Sequence, residues 1–219
     1  MAEKKLKENK KETPQTPQKS VHGMYYYIQK AWKKPDQKIL MKRMEEWRAA
    51  PAQVNVDKPL RLDRARALGY KDKTGFIVIR VRVKRGGHTR PRPIKGRRGK
   101  RMHTRKNLTM SYRWIAEQRV ANSHKNLEVL NSYEVGKDGI NYFYEVICVD
   151  PERPEIKNDK TINWAAKGPN RNRVFRGLTS SAKKSRGLRS KDPTNKNRPS
   201  RRAGQIPKPV SGRRYIMHN

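Results

Sequence analysis

Arg80, Arg82 and Lys84 recur at every second residue of Phe76-Ile-Val-Ile-Arg-Val-Arg-Val-Lys84, with Ile77, Ile79, Val81 and Val83 at the positions between them. On a strand this alternation sets an apolar face against a row of cations about 6.6 Å apart. Cations at a fixed repeat bind rather than react, and their complement is a polyanion of regularly spaced charge. The row runs into Arg85-Gly86-Gly87 and a loop built almost entirely of Arg, Lys, Pro and Gly.

Other residues could carry chemistry, and their contexts argue against it. Gly96-Arg-Arg-Gly99-Lys100 suggests a phosphate cradle, but a P-loop needs Ser or Thr after its Gly-Lys, and Arg101 stands there. Glycines among arginines instead let a backbone lie against phosphates. His22, His88, His103, His124 and His218 are dispersed, with no Cys or carboxylate at ligand spacing. One cysteine cannot supply a zinc ribbon or finger, so no metal and no cofactor are expected. Cys148 follows Val146 and Ile147 in an apolar run, which reads as a buried structural thiol rather than a nucleophile. Glu128, Glu134 and Glu145 lie on neighbouring strands and read as ion-pair partners rather than as acid and base; Arg80, Arg82 and Lys84 are available to them, the alternative to a row that faces phosphate. Tyr142, Phe143 and Tyr144 read as core and edge, and no exposed-aromatic RNA-reading motif is present.

The elements that must position these groups follow from period and punctuation. Met24 to Trp32 reads as a helix ending before Pro35. Asp36 suits the N-cap of a second helix, with Leu40, Met44 and Trp47 on one stripe and Ala49-Ala50-Pro51 as its stop. After an extended stretch, Asp63 to Gly69 reads as a capped turn or short helix, with Gly69 as the left-handed C-terminal residue. The strand 76–84 follows. Residues 85–107 have no apolar period. Leu108 to about His124 reads as a core helix with Leu108, Tyr112, Ile115 and Ala116 on its stripe. Leu127 to Val135 and Asn141 to Val149 read as a hairpin turning through Gly136 to Gly139. Beyond Asp150 basic residues, Pro and Gly dominate, with Trp164, Phe175 and Leu178 as apolar anchors.

Charge is segregated along the chain. In 219 residues, 55 Lys and Arg against 19 Asp and Glu give a formal net charge of +36, and the sequence pI is about 10.8. Lys73 to Ala116 contains no Asp or Glu, and Lys160 to Asn219 contains only Asp192. A centre near balance therefore carries strongly cationic segments that need a neutralising partner. With 33% hydrophobic residues and a mean hydropathy of -1.14, the apolar material supports one modest core and not the whole length. The division expected is a disordered extension over 1–23, a core domain over 24–165 that includes the basic loop 85–107, and a basic C-terminal extension over 166–219. No secretory signal and no membrane span are expected, and the protein reads as intracellular.

Three groups of residues carry a resemblance. Asp63-Arg-Ala-Arg-Ala-Leu-Gly-Tyr70, Thr74-Gly75-Phe76 and Arg80-Val-Arg-Val-Lys-Arg85-Gly86-Gly87 form the first. Met24-Tyr-Tyr-Tyr-Ile-Gln with Trp32 and Leu130-Asn-Ser-Tyr133 with Val135-Gly136, Phe143-Tyr-Glu-Val-Ile147 and Asp150-Pro151 form the second. Arg176-Gly-Leu-Thr-Ser180 with Lys184-Ser-Arg-Gly-Leu188 forms the third. Together they closely resemble the large-subunit ribosomal protein L-fifteen family of eukaryotic and archaeal type. Thr74 stands where that family usually has Gln, and residues 1–23 precede the usual family start. The resemblance implies an α+β fold, a small antiparallel sheet flanked by helices, with long basic loop and tail extensions threaded through ribosomal RNA. It implies a cytoplasmic structural constituent of the ribosome, with no enzymatic activity and no small-molecule substrate or membrane among its partners. Those partners are large-subunit rRNA and neighbouring large-subunit proteins.

The residues expected to contact RNA are Arg64, Arg66, Arg80, Arg82, Lys84, Arg85, Arg90, Arg92, Arg97, Arg98, Lys100, Arg101, Arg105 and Lys106, followed in the tail by Arg171, Arg173, Arg176, Lys183, Lys184, Arg186, Arg201 and Arg202. A cationic arm can enter crevices of folded RNA that a globular face cannot, releasing counterions as it orders. The alternative from another class is a DNA-compacting, chromatin-type protein, in which internal repeats would be expected. An RNA-processing enzyme is a third option, disfavoured by the missing site.

Overall fold

The computed structural model describes residues 22–89, 105–106 and 108–189. Two helices come first: α1 (Met24–Lys33), and α2 (Gln37–Ala49), capped by Asp36, whose Oδ1 accepts the N–H of Lys38 at 2.9 Å. The Pro35 and Pro51 boundaries act where the sequence places them, because neither preceding residue can continue a helix comfortably. Strand β1 (Gln53–Val56) follows, then α3 (Leu62–Ala67), β2 (Phe76–Lys84), β3 (His88–Thr89) and β4 (Arg105–Lys106). Helix α4 (Tyr112–Ser123) precedes the hairpin strands β5 (Glu128–Lys137) and β6 (Asn141–Val149). The described chain closes with α5 (Pro154–Lys157), two 3₁₀ turns (Asn163–Ala166 and Gly168–Asn170) and α6 (Ser180–Ser185).

Four strands form one antiparallel sheet in the order β1-β2-β6-β5, with helices on both faces, so the α+β class holds. The alternation of β2 decides the layering. Ile79, Val81 and Val83 join Val146 and Cys148 under α4, whose Trp114, Ala116 and Val120 are fully buried. Val78 faces the other way and joins Phe143, Ile147 and Tyr133 beneath Met44 and Trp47 of α2. Each such side chain contributes about 1.5 to 3 kcal/mol by leaving water. Gly136 lies in β5 because α2 crosses there: a Cβ at that position would collide with the Met44 methyl group.

Several expectations need correction. The extended stretch after Pro51 contains a strand, β1, paired with β2 in the register Gln53 to Val81 through Val56 to Val78; a four-residue strand is too short to show a period. Asp63 is not the cap of α3. Arg61 holds that position, and Asp63 sits buried in the first turn with Arg61 Nη2 at 3.5 Å. Helix α4 begins at Tyr112 rather than Leu108, since Ser111 Oγ accepts the Trp114 N–H at 3.3 Å and caps it there. The shorter helix buries Trp114, Glu117 and Val120 together with Ala116, while Tyr112 and Ile115 are only partly covered. The hairpin strand β5 runs on to Lys137, and Asp138 makes the turn by accepting the N–H groups of Ile140 and Asn141. The basic loop is paired at its ends, β3 with β4. Packing continues past 165 to α6, through buried Val174 and Ala182.

Candidate nucleic-acid interface

The cationic row of β2 is graded along its length. Arg80 lies under α2, its Cζ 5.1 Å from the Trp47 ring centroid, and stands opposite Glu145 in the β2–β6 register. Burial pulls its pKa below the usual guanidinium range, with Glu145 and Glu46 opposing. Arg82 is partly covered and donates through Nη1 to the carbonyl of Arg48, while its own carbonyl accepts from Arg119 Nη1 at 3.1 Å. Lys84 is exposed at the strand end. The row therefore opens toward Lys84 and Arg85.

The three glutamates do other work. Glu145 is fully buried; it accepts the Leu60 N–H at 3.1 Å and the Tyr133 hydroxyl, and burial raises its pKa. Glu128 is raised by burial as well and accepts the Asn172 N–H at 2.8 Å. Glu134 is exposed on β5. Among the described residues, no ion pair joins any of the three to Arg80, Arg82 or Lys84.

The root of the basic loop is built on aromatic rings. Tyr112, Tyr142 and Tyr144 stack in sequence, with centroid separations of 4.8 and 5.9 Å. The Arg85 guanidinium covers Tyr142 at 5.1 Å and donates to the Asp138 carbonyl at 2.6 Å. Guanidinium over a ring keeps its edge free for phosphate.

The C-terminal segment is held by a buried carboxylate. Glu117 of α4 accepts from Ser132 Oγ at 2.5 Å, Thr179 Oγ1 at 2.6 Å and Ser181 Oγ at 2.6 Å. Trp114 Nε1 donates to the Val174 carbonyl at 2.9 Å. These bonds fix the segment that bears the cations of the tail. Arg173 covers Trp164 at 4.5 Å, Arg171 meets Glu152 Oε1 at 3.3 Å, and Arg176 and Arg186 donate to backbone carbonyls. Lys184 is exposed and Lys183 partly so.

A sequence model of the family described as Ribosomal L15 matches residues 23–204, most of the chain. The chain belongs to the ribosomal L15e family. That family is one of large-subunit ribosomal proteins, and the match agrees with the resemblance read from the motifs.

In this L15e-family chain the remaining expected contacts fall in three places. Arg64 and Arg66 are exposed on α3. Arg105 and Lys106 form β4. Arg90, Arg92, Arg97, Arg98, Lys100, Arg101, Arg201 and Arg202, with the Gly96-to-Lys100 run, lie outside the described residues. Among the described residues no three His, Cys, Asp or Glu are grouped to hold a metal ion, and no helix is long and apolar enough to cross a membrane. Cys148 is fully buried and its pKa is pushed up by burial. One exposed cluster was not among the expected contacts: Tyr25, Tyr26 and Tyr27 of α1, with Lys30, Lys33 and Lys34. Three consecutive tyrosines followed by lysines were the available signal.

Proposed function

We propose that this protein is a structural constituent of the large ribosomal subunit that stabilises folded rRNA through its basic loop and tail, without catalysing a reaction. The observation that carries this reading is the extent of the family match: residues 23–204 take in the whole of 85–107 and most of the basic C-terminal segment, so both cationic stretches lie within the matched range. The folded centre supplies fixed roots. Arg85 on Tyr142 anchors one end of the loop, and Glu117 anchors the segment leading to the tail.

Lys84, Arg85, Arg64, Arg66, Arg171 and Lys184 are the described cations best placed for backbone contacts, with the loop and tail arginines and lysines continuing them. Each neutralised phosphate releases counterions and adds to affinity with little demand on geometry. The partners are large-subunit rRNA and the proteins beside it, in the cytoplasmic ribosome. Gradient sedimentation of a cell lysate in magnesium tests this: the protein should travel with the large subunit. Sedimentation with chromatin, or at the top of the gradient, would overturn the reading.

A further inference from the structure

We propose that the outer face of α1 is a stacking platform for unpaired RNA bases, with Tyr25, Tyr26 and Tyr27 as the platform and Lys30, Lys33 and Lys34 as the cations that hold the strand. This rests on the rRNA-binding reading above and deepens it, because that reading concerns phosphate contacts by the loop and tail.

The geometry of α1 is unusual for a helix so rich in apolar residues. None of its residues is buried. Met24, Tyr25, Tyr26 and Tyr27 are 56, 37, 43 and 56% exposed. The helix turns Ile28, Ala31 and Trp32 toward a groove that they line with Leu40, Leu60 and Leu62, and Tyr25 reaches Arg66 of α3. The three exposed tyrosines at successive positions present their rings over roughly 200° of the helix circumference, with His22 stacked on one face of Tyr26 at 3.7 Å. The rings are already organised. Tyr26 and Tyr27 meet edge to face at 5.6 Å, and Arg66 covers Tyr25 at 5.9 Å while donating to its hydroxyl. Guanidinium and tyrosine together make the flat, cationic surface on which bases stack.

Charge decides the occupant. Between His22 and Met44 lie Lys30, Lys33, Lys34, Lys38, Lys42 and Arg43, against Asp36 alone, and the Asp36 carboxylate caps α2. A protein partner would have to bury lysines, which protein interfaces exclude from their cores. Residues 1–21 are a poor occupant because they too carry more Lys than Glu. A second copy would bring like charge against like. A single strand offers both complements, phosphates for the lysines and base faces for the rings, whereas duplex RNA hides its base faces.

The test uses the full chain and two ten-nucleotide probes of equal charge, an oligoadenylate and an abasic ribose-phosphate strand. The variant is Tyr25→Leu, Tyr26→Leu and Tyr27→Leu together, which keeps apolar bulk and helix propensity and removes the rings. The wild-type chain should bind the adenylate at least about tenfold more tightly than the abasic strand, as expected for one or more stacked bases. The variant should bind both strands alike, with salt dependence unchanged and at most a small fall in melting temperature from the lost Arg66–Tyr25 contact. Equal binding of both probes by the wild-type chain overturns the proposal, as does a preference that survives in the variant. A tyrosine-dependent dimer in the absence of RNA also overturns it. Failure of the broader reading would show separately, as loss of co-sedimentation with the large subunit by the wild-type chain.

Discussion

The Tyr112 hydroxyl is bonded to both backbone groups of Gly86: it accepts the Gly86 N–H at 2.9 Å and donates to the Gly86 carbonyl at 3.2 Å. A side chain in the first turn of α4 thereby ties down the start of the basic loop, at a glycine whose φ of 102° suits no other residue type well. Tyr112→Phe keeps the stack on Tyr142 and removes both bonds. Because the site is exposed, the cost to stability should be about 1 kcal/mol. Hydrogen exchange at the Gly86 amide should quicken markedly, while amides of β6 keep their protection.

The graded row of β2 predicts a split between its members. Arg80→Gln should lower thermal stability, by about 0.5 to 1 kcal/mol from the lost contact with Trp47, and leave the salt dependence of rRNA binding as it was. Lys84→Gln should leave stability alone and flatten the slope of log affinity against log salt by about one unit. Isothermal binding at several salt concentrations, with melting curves on the same variants, reads both effects.

Glu145 sets a pH dependence. Its folded-state pKa is raised above the ordinary glutamate value of 4.5 by burial, so the folded protein holds this proton more tightly than the unfolded chain. Stability supplied by the protonated form is full below the unfolded value and is lost as pH rises through the folded one. Glu145→Gln cannot titrate and still accepts from Leu60 and Tyr133. Its melting temperature should therefore fall less than that of the wild-type chain as pH rises from about 4.5 toward neutrality. Parallel curves for the two would assign the dependence to other groups.

Thr179→Val removes one of three hydroxyls from the buried Glu117 carboxylate. Bonds to charged groups are worth about 1.5 to 3 kcal/mol, and the loss should be felt in α6. Trypsin should cut the wild-type chain slowly at Lys183, Lys184 and Arg186 and the variant several times faster, with the cutting rate after Lys125 unchanged.

Much of the fold was legible where one rule sufficed. The period of β2, the Asp36 cap and the β5–β6 hairpin stand as the sequence predicts, because alternation, capping and turn chemistry are local. What escaped it was decided by distant partners. Glu117 in the middle of α4 has no local partner that marks it as buried; Thr179 and Ser181 reach it from more than sixty residues away. Arg80 reads as one end of an open ridge until α2 lies over it. The ion pairing expected of Glu128 and Glu145 fails for the same reason, since both are buried against backbone N–H groups supplied by other segments.

The packing of Val174 and Ala182 beside Trp114 also has a bearing on how the chain is made. Synthesis runs from the N-terminus, so the residues of α4 and the four-stranded sheet are joined before those of the strap that completes them. Until Thr179 and Ser181 emerge, Glu117 faces an apolar layer with only Ser132 to donate to it, and the nascent domain lacks the contacts that complete it. A chain ending between Ala166 and Thr179 would contain every strand of the four-stranded sheet and leave Glu117 without two of its three hydroxyl donors.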